Sequence, residues 1–257
     1  MRAPVTNSRS FQSVVLISLL IFSSAILVVS QQPQRSPSDT VREFYKAMRE
    51  KRFREAFDLS IYKPAIDSLK PQEFDDLRPD FERMAAVIPD AVNITGEQIS
   101  GDAATVFVKV KEGEAPEQSE PVSLMRAAGA WIIGDKENQE IVKKAGKQFF
   151  FNARIDTHHD EVQAMLTRIS LAQLVYSQQH NGLFGDLATL IAAGLVPKDL
   201  EGTESTGYRF HINSVNAGKS WNAAAEPAQY GRTGKLSFYM DAAGVRSGDK
   251  GGKALTP

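Results

Sequence analysis

The residues best suited to do chemistry form one short group, Asp156-Thr-His-His-Asp160. Two histidines flanked by carboxylates have the donor types of a metal site, but neighbouring side chains on a helix project about 100° apart and do not easily share one ion. We therefore interpret the group as a solvated helix start, with Asp156 or Thr157 as the N-cap. His180 and His211 stand alone and are expected on the surface or in satisfied core positions.

No other set of residues has the order or spacing of a catalytic constellation. The sequence contains no Ser-His-Asp order, phosphate-binding loop or zinc-ligand spacing. It also has no cysteine, which excludes disulfides, thiol nucleophiles and thiolate metal sites. These patterns predict no catalytic residue, no metal and no cofactor.

Composition predicts a globular protein that does not bind nucleic acid. Hydrophobic residues make up 42% of the 257 residues and charged residues 24%, an ordinary mixture for one large domain or two of usual size. The net charge is −1. Without residues 1–30, which contain Arg2 and Arg9 and no acid, 28 basic residues face 31 acidic ones. A surface with this balance attracts phosphates poorly.

The stretch Phe11–Val29 decides where the protein is expected to reside. It has no charge, proline or glycine, and its length suits a membrane core, which needs roughly 20 apolar residues in a helix. Arg2 and Arg9 precede it, and the first acid of the chain is Asp39. The positive flank predicts a cytoplasmic N-terminus and export of everything after residue 30. Residues 31–38 are then a short tether.

Two interpretations of residues 1–30 remain open. A signal peptide cleaved near Ser30 would release a secreted protein, whereas an uncleaved helix would anchor it in the inner membrane with its bulk periplasmic or extracellular. The apolar run exceeds the usual signal-peptide length of roughly 7–15 residues and lacks an Ala-x-Ala site, which favours the anchor. An exported protein without cysteine fits a bacterial envelope.

Helical periodicity follows the tether. Ser36-Pro37-Ser38-Asp39 has the residues of a helix N-terminus. A second short helix is predicted around Phe53–Phe57 and a third over Pro71–Ile88. The inward positions on the first helix are Val41, Phe44, Tyr45 and Met48, and on the third Phe74, Leu77, Phe81, Met84 and Ile88.

Four β-rich runs come next, at residues 92–95, 104–110, 121–126 and 130–134, separated by glycines. Helices followed by an antiparallel meander predict an α+β domain over residues 39–150, including a charged connector that ends in Phe149-Phe150-Phe151. The aromatic triplet is expected to pack between two domains or over one of them.

Residues 36–135 resemble the nuclear-transport-factor-2-like cone, also called ketosteroid-isomerase-like. The resemblance is carried by Ser36-Pro37-x-x-x-Val41-x-x-Phe44-Tyr45, by Phe53-x-x-Ala56-Phe57 and by Trp131. It implies a pocket between a curved antiparallel sheet and the helices. The side chains expected to line that pocket are Phe44, Tyr45, Met48, Phe107 and Trp131, although apolar stripes of this kind more often simply form core.

The enzymes of that family use a buried aspartate base that faces a tyrosine-containing oxyanion hole. The acids available here sit near predicted helix ends or breaks, where acids cap or stay solvated, so no catalytic residue is carried over. They are Asp58, Asp75, Asp76, Asp80 and Asp90. An isomerase or hydratase would need an acid in the pocket beside Tyr45 or Tyr62.

A second α+β domain is expected over residues 151–248. The periodicity predicts a helix over Glu161–His180, a short helix over Asp186–Ala193, and strands at Gly207–Ile212, Trp221–Ala225 and Leu236–Met240. The residues from Arg246 onward are interpreted as loop, with 249–257 as a flexible tail.

This order resembles the globular half of type IV pilin-like proteins and pseudopilins. The carrying string includes Ala172-Gln173-x-x-Tyr176, Leu187-x-x-Leu190-x-x-Ala193-Gly194-Leu195-Val196-Pro197 and Gly207-Tyr208-x-Phe210. It continues with Tyr230-Gly231-x-Thr233-Gly234 and Ser237-Phe238-Tyr239-x-Asp241. Unlike a pilin, the chain has a whole domain between Val29 and Glu161, and it lacks the pilin leader motif, so fibre assembly is not implied.

These observations favour a membrane-tethered, exported envelope protein that binds a protein partner or a small apolar ligand without catalysing a reaction. Two alternatives remain. One is an enzyme of the cone fold acting as an isomerase or hydratase. The other is an accessory component of a type IV pilus or type II secretion system that docks through Glu161–Tyr176.

Overall fold

The computed structural model describes residues 35–89, 92–110, 118–203 and 206–256. In this part the protein is α+β, as predicted, with two four-stranded antiparallel sheets. The predicted leader and the first half of the tether, residues 31–34, lie outside the described residues. None of the helices within the described ranges has both the length and the apolar composition needed to cross a membrane.

The elements follow one another in two groups. The helices are α1 (Pro37–Arg49), α2 (Phe53–Asp58), α3 (Lys63–Asp67), α4 (Pro71–Ala86), α5 (Lys136–Ala145), α6 (Gln148–Gln179) and α7 (Leu187–Ala192), with a 3₁₀ turn at Lys198–Glu201. The first sheet contains β1 (Asn93–Ser100), β2 (Ala103–Val110), β3 (Gln118–Ala127) and β4 (Ala130–Ile133). The second contains β5 (Tyr208–Val215), β6 (Ser220–Pro227), β7 (Leu236–Asp241) and β8 (Gly244–Asp249). In both sheets the spatial order follows the chain order.

The first helices begin where the sequence predicts. The Ser36 side chain accepts a hydrogen bond from the Asp39 backbone N–H, and Pro37 occupies the first turn of α1. On α4, Phe74, Leu77 and Phe81 are buried as expected. Met84 is 41% exposed and so does not lie in the core as expected, whereas Ile88 is partly buried against the helical core.

The first sheet packs one face against α1. Val106 and Val108 of β2, Leu124 of β3 and Trp131 of β4 form a core with Val41 of α1. On the other face, Met125 and Ile132 pack against a second core made by α1–α5 and the start of α6. The sheet therefore has helices on both faces near β4.

The longest helix, α6, belongs to two cores. Phe150 and Phe151 are buried in the core formed with α1–α5. Val162 and Leu166 are buried in the core that α6 forms with α7 and the second sheet. The expected boundary at residue 150 thus lies in the first turn of α6. The helix start predicted near Asp156 is wrong, because the aromatic triplet supplies an earlier apolar face.

The second sheet contains a strand that the sequence did not indicate. Residues 244–249 form β8 and pair with β7 in antiparallel register, so the interpretation of Arg246–Asp249 as loop is wrong. Only Val245 is apolar in this strand, and its pairing depends on backbone hydrogen bonds after the turn at Gly244. Further on, the Ser237 hydroxyl donates to the Lys253 carbonyl at 2.7 Å, which places that part of the tail along the sheet.

Candidate functional site

Polar side chains converge in a cleft between α4, α6 and the turns that flank β5 and β7. The cleft has a volume of about 370 Å³. The residues that line it are Asp76, Pro79, Asp80, Arg83, Arg154, His158, Thr203, Gly207 and Thr233. It lies where the first group of elements meets the second, so its residues come from distant parts of the chain.

Arg154 of α6 is the central cation of the cleft. Its side chain is only 7% exposed. The guanidinium donates to Asp80 Oδ2 from Nε at 2.7 Å and to Asp76 Oδ1 from Nη1 at 3.1 Å, and Nη2 donates to the Asp76 carbonyl. The two aspartates are four residues apart on α4 and therefore share one face. A planar guanidinium matches such paired acceptors better than an ammonium does.

Arg232, in the turn between β6 and β7, makes a second link to α4. Its Nη2 donates to Glu73 Oε1 at 3.0 Å, and its guanidinium lies 4.1 Å from the centroid of the Phe151 ring. Lys147 Nζ lies 3.5 Å from the same carboxylate oxygen. The hydrogen bond from the Lys70 backbone N–H, together with these two cations, holds the pKa of Glu73 below its ordinary value despite burial.

The two adjacent histidines, His158 and His159, hold the turn between β6 and β7 against α6. His158 is buried, and its Nδ1 lies 2.8 Å from the Thr233 carbonyl, which requires a proton on that nitrogen. His159 Nε2 accepts hydrogen bonds from the backbone N–H groups of Lys235 at 3.3 Å and Leu236 at 3.2 Å. Both rings thus have structural partners, and the hydrogen bonds to His159 require its Nε2 to be unprotonated. Among the described residues, no group of three or more metal-binding side chains occurs.

Two glycines permit the close packing of the segments around this turn. Gly207 has φ +66°, and a Cβ there would lie 2.7 Å from His158 Nδ1. A Cβ on Gly234 would overlap the Tyr208 hydroxyl, which donates to the Leu236 carbonyl at 2.8 Å. A larger residue at Gly207 would clash with His158 of α6, and one at Gly234 would clash with Tyr208 of β5.

We expect the wild-type protein to lose stability as pH falls below the ordinary histidine pKa of about 6.5. Burial against Tyr208 and Phe238 lowers the pKa of His159; Asp156 and Asp160 oppose this shift, while His158 and Lys235 add to it. The folded state therefore favours neutral His159, and protonation removes its acceptor for the turn. The stability is present above the ordinary pKa and is lost as pH falls through the lower, folded-state value.

The measurement is the free energy of unfolding between pH 7.5 and 5 for the wild type and His159→Gln. The glutamine oxygen keeps an acceptor that does not titrate, so the variant should show a smaller loss. His180→Gln, on an exposed histidine stacked on Tyr176, is the matched control and should keep the wild-type pH dependence. Equal pH dependence in the wild type and His159→Gln would contradict the assignment.

Of the five side chains predicted to line a cone pocket, four are divided between two cores. Phe44 packs against the helical core that contains Met48. Tyr45 packs against the sheet core that contains Trp131, and burial raises its pKa, with Glu120 adding to the effect. Phe107 alternates with the buried Val106 and Val108 along β2 and so lies on the other face of the strand. None of the five lines the cleft at Arg154.

The phenol of Tyr62 does not face a free acid among the described residues. Its ring contacts Phe57, Phe149 and Phe150. Burial raises its pKa, and Asp135 adds to the effect. Asp135 caps α5 by accepting the Asn138 backbone N–H at 2.8 Å, so its carboxylate is committed to the helix end.

The second described groove, of about 460 Å³, lies between α2 and the start of α4. Most of the charged side chains that line this groove are already paired with neighbouring side chains. Arg52 is ion-paired with Glu43, Glu50 and Glu55, and Arg54 stacks over the Phe74 ring at 4.1 Å. These contacts hold the groove walls together.

No protein-family model, curated protein or solved structure matches this chain. The geometry of the cleft is therefore what bears on function. Its arginines and aspartates bind one another, and its histidine binds a backbone carbonyl. Sequence reasoning missed this site: Asp76 and Asp80 were expected near helix ends, although their spacing of four could have indicated a shared partner.

Proposed function

We propose that this chain is an exported, membrane-tethered protein whose body binds a partner and does not catalyse a reaction. One observation carries the proposal: the titratable groups that converge in the cleft are already paired with each other. Arg154 uses its donors on Asp76 and Asp80, and His158 is occupied by Thr233. General acid–base chemistry needs a group that can exchange a proton with a substrate.

The finer fold assignments are part of the same proposal. The order of helices followed by a four-stranded meander supports a cone-like first module. The C-terminal half of α6, packed on a second meander, supports a pilin-like second module. Both scaffolds host interaction functions as well as enzymes, so the site must decide between them.

An exposed apolar face on α6 supports the second candidate, an accessory role in a pilus or secretion apparatus. Leu171 is 60% exposed and Leu174 is 53% exposed, and Val175 lies beside them. These residues are three and four positions apart and form one stripe, opposite the face that packs on the second sheet. An exposed apolar stripe of this kind is a surface on which an apolar helix of a partner protein can pack, and it lies within the segment predicted to dock.

The test is a Leu174→Glu variant of the full chain in its native envelope. Placing a carboxylate in the centre of an apolar interface should lower the recovery of a cross-linked partner by roughly tenfold or more. Because Leu174 is exposed, the fold should be unaffected. The matched control is Gln178→Glu, one turn further along the same exposed face.

Recovery of the same partner by wild type and Gln178→Glu, but not by Leu174→Glu, would support the proposal. Equal recovery by all three would exclude this face. Repeated failure of the wild type to capture any partner would count against an interaction function. Turnover of a hydrophobic ketone or enoyl substrate by the purified protein would favour the enzyme alternative.

A further inference from the structure

We propose that the open face of the first sheet binds a neutral polysaccharide chain, with the ring of Phe107 as the platform on which a sugar stacks. The open face is the side of β1, β2 and β3 that points away from α1. Its central residues are Gly96, Gln98, Thr105, Phe107, Pro121 and Ser123. This surface is separate from the cleft and from the apolar stripe of α6, and it does not depend on the partner proposed for that stripe.

Phe107 lies at the centre of the open face and outside the cores. It pairs with Gly96 of β1 and Pro121 of β3, which are both exposed, and is itself half-buried. It belongs to none of the three hydrophobic cores of the described residues. A phenylalanine opposite an edge glycine often serves to cover it, but a Cβ on Gly96 would have no atom within 4 Å. Open space therefore remains beside the ring.

Neutral hydrogen-bonding groups lie next to the ring. Thr105, two residues before Phe107 on β2, pairs with Gln98 of β1 and Ser123 of β3. Paired residues project from the same side of an antiparallel sheet, so these three side chains share the open face with Phe107. Gln98 and Ser123 are exposed and Thr105 is half-buried. Hydroxyl and amide groups both donate and accept hydrogen bonds, as the hydroxyls of a sugar require.

The open face carries almost no charge, although 24% of the residues of the chain are charged. Glu97 pairs with Val106 and Glu120 pairs with Val108, which places both acids on the α1 side, where these valines are buried. Among the described strand residues of this sheet, Lys109 near the end of β2 is the one charged residue on the open face. A neutral ligand is therefore favoured over an ionic one.

These features fit a saccharide better than a protein partner. The C–H groups on the flat side of a pyranose ring are slightly positive and stack on the negative face of an aromatic ring. The core of a protein interface needs several apolar or aromatic side chains, whereas this patch offers Phe107 and Pro121. A β-1,4-linked chain of glucose-type units is a flat ribbon, which suits an open three-stranded surface.

Binding of the full-length chain to insoluble polysaccharide tests the proposal. The chain, in mild detergent, is sedimented with chitin and with cellulose, which are neutral β-1,4-linked chains of N-acetylglucosamine and of glucose. The wild type should sediment with at least one of them. It should sediment much less with starch granules, whose α-1,4-linked chains are helical, and with a pectate gel, which is anionic. Leu174→Glu, on α6, should bind like the wild type, which separates this result from the partner test.

Substitutions on β1 and β2 locate the binding face. Phe107→Ala should lower the association constant by roughly tenfold, whereas Phe107→Tyr keeps the ring and should retain binding. Gly96→Glu should cause a similar loss, because it fills the open space beside the ring and adds a charge, while its Cβ meets no neighbour. The matched control is Ile99→Glu: Ile99 is 52% exposed and pairs with Ala104 on the α1 side of the same strand pair, so binding should be unchanged.

The proposal is overturned if the wild type sediments with neither neutral polysaccharide, or if Phe107→Ala and Gly96→Glu bind as well as the wild type. Light scattering after size-exclusion chromatography gives a further check. A wild-type dimer that Gly96→Glu converts to a monomer would mean that a second copy covers this face, and would also overturn the proposal.

Discussion

Replacing Arg154 with methionine is expected to lower the free energy of unfolding by about 3 kcal/mol. Removing one partner from a buried ion pair costs roughly 3–5 kcal/mol because it leaves uncompensated charge. The lower end applies here, since Arg83 still pairs with Asp80 and Arg232 Nη1 lies 3.7 Å from Asp76 Oδ2. Urea unfolding of residues 31–257 measures the effect.

Two further variants separate the charge effect from lost packing. Arg83→Met removes a cation whose side chain is 55% exposed and should cost less than about 1 kcal/mol. Arg154→Met combined with Asp76→Asn and Asp80→Asn should recover part of the loss, because the carboxylates no longer face each other unpaired. If the triple variant is as unstable as Arg154→Met, the arginine acts through its packing and not through its charge.

Phe81→Ala is expected to destabilise the protein by about 4 kcal/mol, in the range for truncating a fully buried aromatic side chain. Phe81 has no exposed surface. Its ring centroid lies 5.0–5.6 Å from those of four other phenylalanines. Those rings belong to Phe53, Phe57, Phe74 and Phe150. Phe81→Leu, which preserves more volume, should cost about 1.5 kcal/mol.

The Phe81→Ala variant also tests whether the two sheets unfold together. The chain has two tryptophans, Trp131 in β4 and Trp221 in β6. With Trp131→Phe as background, the fluorescence of Trp221 reports the second sheet alone. We expect Phe81→Ala to shift that transition as well, because α6 contributes side chains to both cores. An unchanged Trp221 transition would mean that the two modules unfold independently.

Much of the local structure could be predicted from sequence because it depends on neighbours along the chain. The cap at Ser36, the start of α4 at Pro71 and the breaks between strands follow from local side-chain and backbone preferences. The β8 strand could not be predicted, since β7 supplies its hydrogen bonds and its own side chains are mostly polar. The length of α6 was underestimated because its charged middle was interpreted as a helix start.

By itself, the sequence determined the α+β class, the absence of thiol chemistry and the apolar periodicity of the elements, since these depend on composition and short-range spacing. Only the tertiary structure decided what Arg154, Asp76, Asp80 and the two histidines do. Their partners lie more than 70 positions away along the chain, and the pairing with those partners makes them structural. A carboxylate or an imidazole has no fixed role until folding sets its distance to another charge and its access to water.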